Sequence, residues 1–128
     1  MKESLLDTNV ILRFLIGDVN EHKVQAEAWF QEAKQGTRRI IVSPLVVAES
    51  IFVLQSFYQH SRSTIKAHLE IFLSQRWLVV EERERLLRTL DLYADGMHVV
   101  DAFLLAGAKS GTEILTFDQK LKKREKGQ

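Results

Sequence analysis

Four carboxylates stand where an otherwise apolar chain gives no ordinary reason for a charge. Asp7 closes the short run "SLL" inside "LLDTNVILRFL", Asp118 closes "EILTF", and Glu49 and Asp101 lie within "PLVVAESIFVLQSF" and "MHVVDAFLLAGAKSG". On a helix, residues three and four positions apart share a face. Those neighbours are Leu45, Val46, Phe52 and Val53 for Glu49, and Met97, His98, Leu104 and Leu105 for Asp101. Both acids are therefore expected on inward-facing stripes. An unpaired buried carboxylate costs several kcal/mol, so the chain must supply partners or protonate it. Arg13 is the basic side chain set in a comparably apolar stripe and is one candidate partner. A shared divalent cation is the other: with no cysteine in the chain and no closely spaced histidine pair, oxygen-only donors suit Mg²⁺ or Mn²⁺ rather than zinc. For Asp7 and Asp118 helix capping stays open as well, because each precedes a helix-like segment.

The elements that must position these acids can be read from periodicity. "SLL" at 4–6, "RIIV" at 39–42, "WLVV" at 77–80 and "EILTF" at 113–117 have the length and the β-branched or aromatic content of buried strands. Helical periodicity covers 9–16, 20–35, 44–58, 63–74, 82–93 and 97–110. Strands alternating with helices predict an α/β fold with helices on both faces of a parallel sheet. Ligands of such sheets gather beyond the carboxyl ends of the strands, which is where Asp7 and Asp118 fall. Ser43 before Pro44 gives a helix start, Gly36 and Gly111 give stops, and 60–63 is the turn of a helical hairpin.

Composition bounds the rest. One proline, six glycines and no low-complexity run leave no linker, so residues 1–128 are expected to form a single domain. The absence of cysteine suits a reducing compartment, no secretory leader is apparent, and the longest apolar stretch is shorter than the ~20 residues a spanning helix needs. A cytoplasmic protein free of the membrane is the expectation. Net charge is +1, which by itself announces no nucleic-acid binder. Acids gathered into one pocket would nevertheless leave a basic surface around it, with the tail "KLKKREKGQ" either part of that surface or a solvated frayed end. His22, His60 and His68 fall on polar or loop positions, while His98 is near enough to Asp101 to hydrogen-bond around a pocket. Trp29 and Trp77 fit core or interface packing better than a base-stacking platform.

Taken together, "LLDTNVILRFL", "VVAES", "VVDAFLLAGA" and "ILTFDQKL" resemble, in order and over nearly the whole chain, the four motifs of the PIN-domain nucleases, and within them the toxins of VapBC-type toxin–antitoxin pairs. The resemblance implies a three-layer α/β/α fold with a short, mainly parallel sheet of four or five strands. It implies a Mg²⁺- or Mn²⁺-dependent endoribonuclease in which Asp7, Glu49, Asp101 and Asp118 are the catalytic and metal-binding acids, with Thr8, Asn9 and Thr116 as polar supports. It implies an RNA substrate, a cognate antitoxin and a homodimer. Two features depart from the pattern: the chain ends in "KKREKGQ" where many members continue into a further strand, and Asp95 and His98 in "YADGMHVVD" match no motif position.

Other readings fit less well. An aspartate-nucleophile phosphatase wants a second Asp where this chain has Asn9. A phospho-receiver domain wants an acceptor Asp ending a central strand, yet "RWLVV" is followed by Glu81 and Glu82. A catalytically silent PIN domain serving as an RNA- or protein-binding module is the nearer alternative. For the antitoxin, the hairpin at 44–74 offers Phe57, Tyr58 and Phe72 as anchors, and a homodimer face would look the same from sequence.

Overall fold

A computed structural model describes residues 1–127. Its elements run β1 (Lys2–Leu5), α1 (Thr8–Ile16), α2 (Asn20–Gln35), β2 (Arg38–Val42), α3 (Pro44–Ser56), α4 (Arg62–Leu73), β3 (Leu78–Val80), α5 (Arg83–Ala94), α6 (Val99–Gly107) and α7 (Gln119–Lys126). The three strands form one parallel sheet in the order β1-β2-β3, with Leu5 opposite Ile41 and Ile41 opposite Val79. Central β2 carries the buried Ile40 and Val42, as a strand flanked on both sides should. Each crossover between neighbouring strands is a helix pair, α1–α2 and then α3–α4.

Local chemistry explains the boundaries. Ser43 accepts the Leu45 N–H at 3.1 Å and places Pro44 in the first turn of α3, where its missing N–H costs nothing. Gly36 takes the left-handed conformation at φ +83° that ends α2. Gly111, expected to stop the last predicted helix, instead sits in the loop beyond it, because α6 ends at Gly107. The tail expected as one of two outcomes to fray is ordered as α7 as far as Lys126.

The main core gathers Ile11, Phe30, Ile40, Ile51, Leu69 and Leu90 with their neighbours, and a second, smaller cluster joins Leu92, Ala102 and Leu105 to Leu121 of α7. That smaller cluster corrects one expectation. The run at 113–117 is not a strand, and the sheet among the described residues has three strands rather than four or five. The reason is visible in its bonds. Leu121 and Ile114 anchor this part of the chain on α5 and α6, and the Ile114 N–H donates to the Glu125 carboxylate of α7. The Asp118 N–H goes to Thr116 Oγ1 at 3.0 Å. These backbone donors are spent on side chains instead of a ladder, and Leu115 and Phe117 face solvent. Among the described residues no strand pairs with the outer edge of β1, and Leu5 is exposed beside it.

Three arginines fasten the second half of the molecule. Arg62 donates to the carbonyls of Tyr93 and Met97 at 2.7 and 2.8 Å and lies over the Tyr93 ring at 4.4 Å. Arg83 donates to the carbonyls of Leu73, Gln75 and Leu78, tying the end of α4 to β3. Arg85 donates to the Phe103 carbonyl at 2.9 Å while stacked on that ring. Gly107 leaves the room its guanidinium occupies, since a Cβ there would collide with it.

Candidate active site

Asp7 follows β1 after the buried Leu6 and precedes the first turn of α1. Its side chain is exposed and makes no cap bond, although its backbone is extended as a cap requires. Asp118 does cap: its Oδ1 accepts the Lys120 and Leu121 N–H groups at 2.8 and 3.1 Å. The capping explanation thus accounts for Asp118 and fails for Asp7.

Asp101 lies in the first turn of α6 and is half-buried. It shares a pocket of about 540 Å³ with Asp95, His98 and Asp118, and the basic side chains Lys120, Lys123 and Arg124 complete its wall. His98 accepts the Val100 N–H on Nδ1 at 3.3 Å, so it caps α6 as well as lining the pocket. Asp95, which no motif claimed, also belongs to this wall.

Glu49 departs from expectation. It is exposed, and Leu45 and Phe52 on its side of α3 are exposed with it. Helix α3 buries Val47, Ser50, Ile51 and Leu54 instead. The helix is apolar around most of its circumference, so spacing alone could not tell which face turns inward. Asp101, also expected inward, is only half-buried because its neighbour Leu104 faces solvent. Arg13 partners neither acid; its Nη1 donates to both oxygens of Asp18 at 2.9 and 3.1 Å.

Of the polar supports, Thr8 is buried under the start of α1, Asn9 is exposed one residue further on, and Thr116 holds the Asp118 backbone. His60 was expected on the surface, yet its Nδ1 is buried without a hydrogen-bond partner among the described residues. Phe72, expected as a partner's anchor, is buried within the core against Phe14 and Phe30. Phe57 is exposed as expected and Tyr58 is half-buried, the two rings meeting edge to face. Among the described residues no group of three or more His, Cys, Asp or Glu side chains is arranged to hold a metal ion. Two of the four acids meet in one pocket, and Asp7 and Glu49 stand outside it.

The PIN-domain family model matches residues 4–127. This chain belongs to the PIN-domain family. Its helices and parallel sheet fit the family's α/β/α fold, and all four acids fall inside the matched span. A VapC ribonuclease of Aquifex aeolicus (strain VF5) is 29% identical to this PIN domain over 123 residues, covering 93% of this chain and 90% of the relative. No solved structure matches it. No described helix is long and apolar enough to cross a membrane.

Proposed function

We propose that this PIN domain is an endoribonuclease that hydrolyses RNA phosphodiester bonds, as the toxin of a VapBC-type pair. The carrying observation is the pocket that joins Asp101 and Asp118 beneath a basic rim, within a chain similar to a VapC ribonuclease along most of its length. Lys120, Lys123 and Arg124 meet the phosphodiester charge as point and planar cations do. The free oxygen positions of Asp101 and Asp118 accept hydrogen bonds from a water and take its proton as it attacks. Asp7 and Glu49 belong to the same proposed acidic site by motif position, with Thr8, Asn9 and Thr116 as its supports. Dependence on Mg²⁺ or Mn²⁺ is part of the proposal and rests on the oxygen-only donor set; among the described residues the side chains form no ready three-carboxylate site.

The proposed partners are RNA, a cognate antitoxin and a second copy of the chain, and the proposed compartment is the cytoplasm. An apolar groove of about 330 Å³ between α3, α5 and α6, with Leu45, Ile51, Val100 and Phe103 in its wall, supports the antitoxin reading, since an amphipathic helix lays its apolar face into such grooves. The assay that tests the nuclease is cleavage of single-stranded RNA with Mg²⁺, with Mn²⁺ and with EDTA. Cleavage that EDTA abolishes is the expected result. RNA binding without cleavage under every condition would make this a silent binding module instead.

A further inference from the structure

The groove between α1 and α2 has the lining of a nucleobase site, and we propose that it receives one unpaired base of the substrate RNA and so helps to set which sequence is cut. It encloses about 290 Å³ and is walled by Asn9, Val10 and Arg13 of α1 and by His22, Gln25 and Trp29 of α2. Asn9 and Arg13 are four residues apart, and His22, Gln25 and Trp29 are three and four apart, so one face of each helix builds it. Unpaired RNA bases are read by aromatic or guanidinium planes that stack and by amides that meet their polar edges. Trp29, His22 and Arg13 supply planes. Asn9 and Gln25 supply both donors and acceptors.

The two tryptophans of the chain differ in a way that favours this use. Trp77 gives its indole N–H to Gln75 at 3.1 Å and lies 5.2 Å from the Phe30 ring. Trp77 also borders an open pocket, but Lys34 Nζ lies over its ring at 5.2 Å; Trp29 rests partly on the core and lines the groove between α1 and α2. The charge pattern selects a base rather than a phosphate. Arg13 is held by both oxygens of Asp18, which fixes its guanidinium and offsets its charge, leaving a planar group with little pull on an anion. Position links the groove to the proposed acidic site through Asp7, the residue that precedes α1, since Asn9 lies two residues beyond it in the first turn of that helix. The inference rests on the ribonuclease reading for its substrate class.

The test reads binding separately from cleavage. In a Trp77→Phe background, Trp29 emission is followed as a single-stranded RNA decamer is titrated in EDTA, and the affinities of Trp29→Ala, Trp29→Phe and Gln25→Ala are compared with the parent by the anisotropy of an end-labelled decamer. The expected result is saturable quenching, about tenfold weaker binding for Trp29→Ala, recovery of most of it by Trp29→Phe, and altered base preference in Gln25→Ala. Gln25 is exposed, so that variant keeps its fold and stands whether or not Trp29→Ala does. Unchanged emission together with unchanged affinity and preference in all variants overturns the inference. It is overturned equally if Trp29→Ala binds RNA normally but loses a protein partner, since the groove is then a protein surface. Cleavage by the parent chain without quenching sinks the groove and keeps the nuclease; quenching without cleavage sinks the nuclease and keeps the groove.

Discussion

Asp7 and Asp118 hold equivalent positions, each the last residue before a helix, but they carry different duties. Asp118 spends Oδ1 on two backbone N–H groups of α7, so charge and cap can be separated there. Asp118→Asn retains a good cap and is expected to keep stability while lowering RNA cleavage at least a hundredfold. Asp118→Ala should in addition lose about 1 kcal/mol in a denaturant titration. Asp7 caps nothing, so Asp7→Asn is expected to leave the unfolding midpoint where it is and still abolish cleavage. Cleavage near the parental rate in either Asn variant would remove that acid from the site. Burial pushes the Tyr93 phenol above its ordinary value, with Arg62 partly opposing, and its O–H donates to Gln55 at 2.7 Å. The folded state thus favours the neutral phenol. Its contribution is complete below the unfolded value of about 10 and declines as pH rises past it. Tyr93→Phe should flatten that alkaline loss, measured as midpoint against pH between about 9 and 11.

At the level of elements, α6 brings Asp101 to the pocket, and α6 is aimed by Arg62. That guanidinium closes the carbonyls at the end of α5 and at the turn into α6. Arg62→Ala leaves buried carbonyls without their charged donor, and a loss of about 2–3 kcal/mol is expected, together with a fall in cleavage because Asp101 loses its support. Both bonds leave from Nη1, so a lysine ammonium can donate to the two carbonyls but loses the planar stacking on Tyr93, and Arg62→Lys should rescue part of the loss. The segment at 113–117 invites the opposite experiment. Phe117 is fully exposed, so Phe117→Ser should shift stability by no more than about 0.5 kcal/mol. A loss of about 3–5 kcal/mol, as for a buried Phe, would mean that the run is a strand after all.

That contrast shows what a sequence can and cannot disclose. "RIIV" and "WLVV" became strands because both lie beside β2 or within it, where alternation is unnecessary and apolar content suffices. "EILTF" has the same composition, but its outcome depends on Glu125 and Leu121, residues whose reach across a turn leaves no local periodic trace. Asp7, Asp101 and Asp118 could be singled out because a charge breaks an apolar pattern. Asp95 could not, since a charged residue in polar surroundings looks like any solvated face, and the basic rim was legible as one of two outcomes for the tail from Lys120 onward. Glu49 was legible as an anomaly and illegible in direction, because α3 is apolar on the side it buries and on the side it shows.

Across the whole molecule, the most conspicuous surface is apolar: Leu45 and Phe52 of α3 with Val100 and Leu104 of α6 are all exposed. Co-expression with a small gene adjacent to this one is expected to yield a complex whose formation Phe52→Asp or Leu104→Asp disrupts without unfolding this chain. Recovery of the chain alone, with no growth defect when it is expressed unaccompanied, would remove the toxin role and leave the nuclease in place.

The open edge of β1 has a consequence for handling the protein. A bare strand margin is a template on which another molecule can add its own strand, and charged side chains there act as gatekeepers against fibrous growth. Lys2 and Glu3 are exposed along this margin, and Arg39, 3.5 Å from Glu3, adds a third charge across the second rung. Replacing Lys2 and Glu3 with threonine and valine should therefore leave the dilute protein folded but raise light scattering sharply with concentration and time. A hydrophobic tag fused at the N-terminus is expected to do the same, and a charged one to keep the solution clear.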